Sequence, residues 1–175
     1  MILDISALLS GKVDVLEFDY IIPLLDEEGE ATILPPPDVD FTSGIHVCGK
    51  ITDNAGYMAL KASCEIGYRT ECARCLTQLE GVFTYAFEKI AAKAGTIEGD
   101  EDNYVMICDG RIDFDRDVAE EVSLEFPTRF LCTDDCLGLC PKCGKNRNLE
   151  PCDCANQKEI DPRLAILQKL LENQE

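Results

Sequence analysis

L-K-A-S-C-E-I-G-Y-R-T-E-C-A-R-C, from Leu60 to Cys75, alternates for most of its length and then breaks into a cysteine pair. Leu60, Ala62, Cys64, Ile66, Tyr68 and Thr70 fall on one side. Lys61, Ser63, Glu65, Arg69 and Glu71 fall on the other, which is the period of a strand with one covered face. Cys64 sits in the apolar series and reads as a small buried hydrophobe. Cys72-x-x-Cys75 follows the strand at once, at the kind of strand-to-turn junction where metal knuckles form. Val82 to Phe87 resumes a strand with Phe83, Tyr85 and Phe87 on one face, a core-packing pattern. No basic residues interleave with those rings, so they do not read as a base-stacking platform. Upstream, Ile45, Val47 and Ile51 alternate with His46, Cys48 and Lys50, and Asp53 to Gly56 is a turn. The centre of the chain is therefore expected to be antiparallel β.

A second cysteine stretch lies C-terminal to this β-region. Cys132 to Cys154 reads C-T-D-D-C-L-G-L-C-P-K-C-G-K-N-R-N-L-E-P-C-D-C and holds six of the eleven cysteines. Cys140 and Cys143 have the spacing of two thiolates sharing one metal, and Gly144 permits the tight turn that aims amides at sulfur. Tetrahedral structural zinc takes four ligands. Setting aside the isolated Cys48, Cys64 and Cys108 leaves eight cysteines, enough for two sites. The preferred partition gives Cys140, Cys143, Cys152 and Cys154 one zinc and joins Cys132 and Cys136 to Cys72 and Cys75 on another. One zinc drawn from the six C-terminal cysteines, with Cys72 and Cys75 a free or redox pair, is the alternative. Disulfides would require an oxidising compartment, and an iron–sulfur cluster is the rival metal centre. All-thiolate sets are normally closed and structural, so catalytic zinc is not expected.

Working outward, residues 2–11 read as a short opening strand and a helical turn stopped by Gly11, and Val13, Val15 and Phe18 suggest an extended segment. From Val13 to Gly49 there is no Lys or Arg, and acids from Asp14 to Asp40 surround Pro35-Pro36-Pro37. That segment is expected to be a loop or arm outside the core. Residues 95–103 form an acidic loop. Tyr104–Ile107 and Ile112–Phe114 are expected to pair as a hairpin around Asp109-Gly110. Asp115 is the expected cap of a helix that presents Val118, Val122 and Phe126 and ends at Pro127. Asp161-Pro162 opens a last helix with an apolar stripe of Leu164, Leu167, Leu170 and Leu171. The fold class is therefore α+β, mainly antiparallel β: residues 1–127 a β-domain with acidic loops, 128–156 a zinc-stapled segment, and 157–175 a terminal helix.

The net charge of −18 repels phosphate over most of the surface and favours basic partners. Residues 140–149 run against it, carrying Lys142, Lys145 and Arg147 and no acid, and could meet RNA phosphate. Asp4 interrupts the only early apolar run, so no signal peptide is expected, and no apolar stretch is long enough to span a bilayer. The expected compartment is the cytoplasm, where clustered cysteines stay reduced and favour metal. A lone histidine, His46, gives little support to histidine-based catalysis, and no phosphate loop, nucleophile elbow or paired-carboxylate motif is evident. Neither enzyme activity nor a small-molecule substrate is expected.

Several features in order resemble the YceD family of bacteria and plastids. They are the D-I-S-A-L-L-S-G opening, Cys72-x-Arg74-Cys75-Leu76 after a strand, the acidic central loop and the helix before the metal segment. They continue with Cys136-x-Gly138-Leu139-Cys140-Pro141-x-Cys143-Gly144, Asn146 and Asn148, Cys152-x-Cys154 and Asp161-Pro162-Arg163-Leu164. The G-L-C-P-x-C-G core with its trailing C-x-C is the specific part. The resemblance implies a non-enzymatic role in accumulation of large-subunit (23S) ribosomal RNA, a form of ribosome biogenesis. The expected partners are a basic ribosomal protein or the pre-ribosomal large subunit, with rRNA contact at the knuckle. Two other classes stay open: a thiol-redox protein using Cys72 and Cys75, and a zinc-ribbon adapter with no rRNA link.

Overall fold

The computed structural model describes residues 2–54, 57–93 and 103–156. The chain divides into two compact units: Met1–Glu71 with Gln78–Phe130, and Cys72–Thr77 with Leu131–Glu175. In chain order the first unit contains β1 (Ile2–Asp4), α1 (Ser6–Leu9), β2 (Val15–Ile22), β3 (Val39–Phe41), β4 (Ile45–Asn54) and β5 (Tyr57–Glu71). It continues with β6 (Gln78–Lys93), β7 (Tyr104–Ile107), β8 (Arg111–Asp113) and α2 (Phe114–Glu125). The terminal helix expected from Asp161 and nearly all of the 95–103 loop lie outside the described residues, as do Ala55 and Gly56 of the expected turn.

A six-stranded sheet runs β2-β4-β5-β6-β7, with β3 pairing β5 beyond the end of β4, and β1 pairs β8 separately. All pairs are antiparallel except β6 with β7. The register explains the core. Val47 lies opposite Cys64 and Ile51 opposite Leu60, while Ile66 faces Phe83 across the next ladder. The alternating apolar residues of neighbouring strands thus fall on one face, and Val47, Ile51, Leu60 and Cys64 are completely buried. The Cys64 thiol is pushed up to about 11 by burial, although Sγ donates to the Tyr85 carbonyl at 3.4 Å. It is the inert hydrophobe its alternation suggested.

Helix α2 supplies Phe114, Val118, Val122 and then Phe126 to the same core. Phe114 meets Phe18 edge-on at 5.5 Å, and Phe126 meets Phe41, Tyr68 and Phe83 at 5.1, 5.6 and 5.0 Å. Each such ring contact adds about 0.5–1.5 kcal/mol to the burial itself. Lys89 on β6 is buried and reaches Glu121 of α2 at 2.8 Å. Phe126 ends the helix in an extended conformation because Pro127 follows it.

Three expectations change. The acidic N-terminal segment is not all loop: β2 is a full partner of β4, and Phe18, Ile22, Ile33 and Val39 are buried. Two of its acids, Glu17 and Asp19, occupy the open side of the strand. Asp109 and Gly110 do form a tight turn, with φ of 50° and 75°, and Cys108 and Arg111 exchange backbone bonds of 2.9 Å. The flanking strands then diverge, β7 to β6 and β8 to β1, so no hairpin extends from the turn. Asp113, not Asp115, precedes the first turn of α2, and Asp115 lies inside that turn.

Candidate metal centres

Glu71 and Gln78 are the last paired residues of β5 and β6, and residues 72–77 make the turn between them. The turn has a defined hydrogen-bond pattern. Cys72 N–H donates to Thr77 O at 2.8 Å, and Leu76 N–H donates to Cys72 O at 2.9 Å. Leu76 takes a left-handed φ of 57°, and its side chain is 57% exposed. The second knuckle repeats the pattern. Cys140 N–H donates to Lys145 O at 2.8 Å, Gly144 N–H donates to Cys140 O at 2.9 Å, and Gly144 has a φ of 72°. Each turn winds its amides around a Cys-x-x-Cys pair.

Two groups of four sulfurs result: Cys72, Cys75, Cys132 and Cys136, and Cys140, Cys143, Cys152 and Cys154. Within each group all sulfurs lie within 4.8 Å of one another, and each group could hold a metal ion. Membership is the same as in the preferred sequence partition. Cys72 and Cys136 sulfurs are 3.8 Å apart, and those of Cys75 and Cys132 are 3.6 Å apart. A tetrahedron with metal–sulfur bonds of about 2.3 Å has edges of about 3.8 Å, so these spacings fit a tetrathiolate centre. Cys48, Cys64 and Cys108 belong to neither group.

Neighbouring donors complete the first group. Cys132 N–H donates to Cys72 Sγ at 3.4 Å, the Thr77 hydroxyl lies 3.2 Å from Cys75 Sγ, and Asn148 Nδ2 donates to Cys136 Sγ at 3.2 Å. Asn148 also accepts from Leu137 N–H at 2.8 Å and donates to Asn146 Oδ1 at 2.9 Å. One side chain thus ties a sulfur of the first group to the loop of the second knuckle. Arg74 does comparable work: Nη1 donates to Cys136 O at 2.9 Å, and its own carbonyl accepts from Leu139 N–H at 2.9 Å. Gly138 allows this approach, since a Cβ there would stand 2.9 Å from Arg74 O. Sequence reasoning assigned neither Asn148 nor Arg74 a role. An amide-bearing side chain between thiolate ligands was the available signal.

The electrostatics split each group the same way. Burial acts to raise the Cys72 thiol, but the N–H groups of Arg74, Cys132 and Cys75 outweigh it and hold it at about 6. N–H groups of Cys143 and Lys142 hold Cys140 at about 6. The sulfurs of Cys136 and Cys75 push Cys132 up to about 12, and Cys143 pushes Cys154 up to about 11. In each group backbone N–H groups favour the thiolate at one cysteine, while neighbouring sulfurs disfavour it at another. A divalent cation at the centre would favour the thiolate at all four.

Of the basic residues noted on the second knuckle, Lys145 pairs with Glu150 at 3.0 Å. His46 pairs with Asp19 at 2.8 Å on the open face of the sheet and is a member of neither cysteine group. No helix among the described residues is long and apolar enough to cross a membrane.

Residues 60–171 match the YceD family, described as large ribosomal RNA subunit accumulation protein YceD. An uncharacterised protein of Mycobacterium tuberculosis is 36% identical over 104 residues, covering 58% of this chain and 49% of that protein. A Mycobacterium leprae counterpart is 32% identical over 105 residues, covering 58% and 48%. The match thus spans about half the length of these relatives. The chloroplastic large ribosomal RNA subunit accumulation protein YCED homolog 1 of Arabidopsis thaliana is 35% identical over 48 residues, 27% of this chain and 15% of that one. No solved structure matches the chain.

Proposed function

The chain belongs to the YceD family, and from that membership we infer that it supports accumulation of large-subunit (23S) ribosomal RNA as a non-enzymatic assembly factor. The family match across both cysteine groups carries this reading. Both groups would hold zinc, four thiolates each, with no coordination position left for substrate. Their binding energy would go into folding the second unit. The net charge of −18 favours a basic ribosomal protein as the direct partner. Lys142, Lys145 and Arg147, carried on the second knuckle, are the residues offered to rRNA. Dithiol exchange by Cys72 and Cys75 is the weaker reading, because both sulfurs are gathered with Cys132 and Cys136.

Affinity capture of the full chain from cells at low salt, with and without nuclease, tests this. Large-subunit proteins should co-purify, and deletion of the gene should deplete 23S but not small-subunit rRNA. Capture that survives nuclease identifies a protein partner; capture lost with nuclease identifies rRNA. A chain that sediments free of ribosomal particles, and whose deletion leaves 23S rRNA unchanged, overturns the reading.

A further inference from the structure

β2 is the end strand of the sheet, and among the described residues nothing pairs its outer side. Its register with β4 is constant from Val15↔Thr52 to Ile22↔Ile45, with no bulge and no proline over its 8 residues. Protein sheets usually protect such an edge with a short strand, a proline, a bulge or charged side chains. Of these, β2 carries only the charged side chains, Glu17 and Asp19.

The direction of its free groups follows from one hydrogen bond. Asp53 N–H donates to Asp14 O at 3.0 Å, just ahead of the ladder. In an antiparallel pair, bonded and non-bonded positions alternate. The even-numbered residues of β2 therefore bond to β4, and Val15, Glu17, Asp19 and Ile21 turn their N–H and C=O groups outward. The same four residues are the exposed ones, with Val15 44% and Ile21 65% accessible. The free backbone groups and the open-face side chains thus belong to the same residues, in the order apolar, acid, acid, apolar. Asp19 also holds His46, and Lys50 lies across from Glu17 on β4. No Lys or Arg occurs from Val13 to Gly49, so within that stretch every Asp and Glu adds to the negative charge of the edge.

We propose that this edge takes up an extended cationic segment of a partner protein as an added strand. A residue opposite Glu17 or Asp19 in a bonded pair exchanges both backbone bonds with it and puts its side chain on the same face. The segment that fits has Lys or Arg at two alternate positions, flanked at the same spacing by β-branched apolar residues. The two acids repel a second copy of this chain at the edge and admit a basic one. The proposal rests on the reading of a basic ribosomal partner and names where and in what conformation that partner docks.

The test is titration of the isotope-labelled full-length chain with the blocked peptide Val-Thr-Lys-Thr-Lys-Thr-Val, followed by NMR. The peptide is palindromic, so strand direction does not matter. Amide shifts should concentrate on Val15 to Ile22. Binding should exceed that of the rearranged peptide Lys-Lys-Thr-Val-Val-Thr-Thr by about tenfold. Backbone N-methylation of both lysines should abolish it, since it removes the two central peptide donors, those opposite Glu17 and Asp19, and changes nothing in the protein. The double variant E17K/D19K should lose about tenfold with an unchanged circular dichroism spectrum. I21P should also weaken binding, because it deletes an outward N–H and no ladder bond. Equal binding of the two peptides, binding that survives N-methylation, or shifts centred elsewhere would each overturn the proposal. The deletion phenotype tests the assembly role alone, so either reading can fail without the other.

Discussion

The two knuckles share a backbone and differ in what holds it. The turn at Cys72–Thr77 closes strands of 15 and 16 residues, and its sequence neighbours Glu71 and Gln78 are already paired. The turn at Cys140–Lys145 is flanked by a single isolated bridge, Leu139↔Asn146. Cys72 and Cys75 are buried, while Cys143 is exposed and Cys152 and Cys154 are partly so. The same six-residue device is thus built once on a ladder and once on short local bonds. The first should keep its shape without metal, and the second should depend on it.

The largest effect expected from this difference is on metal and local order. Wild-type chain should carry two zinc ions by native mass spectrometry, and Cys140→Ser and Cys72→Ser one each. A structural zinc site is worth roughly 10–16 kcal/mol in small peptides, so its loss is a folding event. After chelation, hydrogen exchange should show the Gly144 and Cys140 amides unprotected while Leu76 and Cys72 amides and strands β5 and β6 stay protected. Equal loss of protection at both knuckles would break the comparison.

Asn148 should come next. Asn148→Ala removes a donor to Cys136 Sγ and an acceptor for Leu137 N–H. Losing a hydrogen-bond partner of a metal ligand in this way lowers metal affinity by about 10–100-fold. Competition against a chromophoric chelator should show the loss at the Cys72 group, whose sulfur Asn148 touches, before the Cys140 group. Uniform weakening of both would mean that the asparagine serves the whole unit.

What could be read from sequence divides along similar lines. The β5 alternation was legible because one face of the sheet is covered, so the period survives in Leu60 to Thr70. Cysteine spacing suggested the two sulfur groups because each knuckle is local. β2 was obscured because acids on its open side outweighed Phe18 and Ile22 in the composition of the segment. The strands flanking Asp109-Gly110 could not be placed because their partners, β6 and β1, are distant in sequence, and a turn does not choose partners. Asn148 and Arg74 were passed over because their work is to bond backbone and sulfur brought close only by the fold.

Backbone strain at the equivalent position of each knuckle gives a smaller test. A Cβ at Gly144 meets nothing within 4 Å, so Gly144→Ala probes only the left-handed backbone. It should cost about 1 kcal/mol, read as a lower midpoint in urea.

Leu76→Gly is the reciprocal change and should be the smallest. Leu76 already holds the left-handed conformation, with a φ of 57°, and its side chain is largely exposed. Glycine relieves about 1–2 kcal/mol of backbone strain but gives back about 0.5–1 kcal/mol through the freer unfolded chain. The net should be a stabilisation of about 0–1.5 kcal/mol, with zinc content unchanged. A loss of stability instead would mean that the exposed leucine packs on something within the second unit, and the two knuckles would then differ in side-chain support as well as in their ladders.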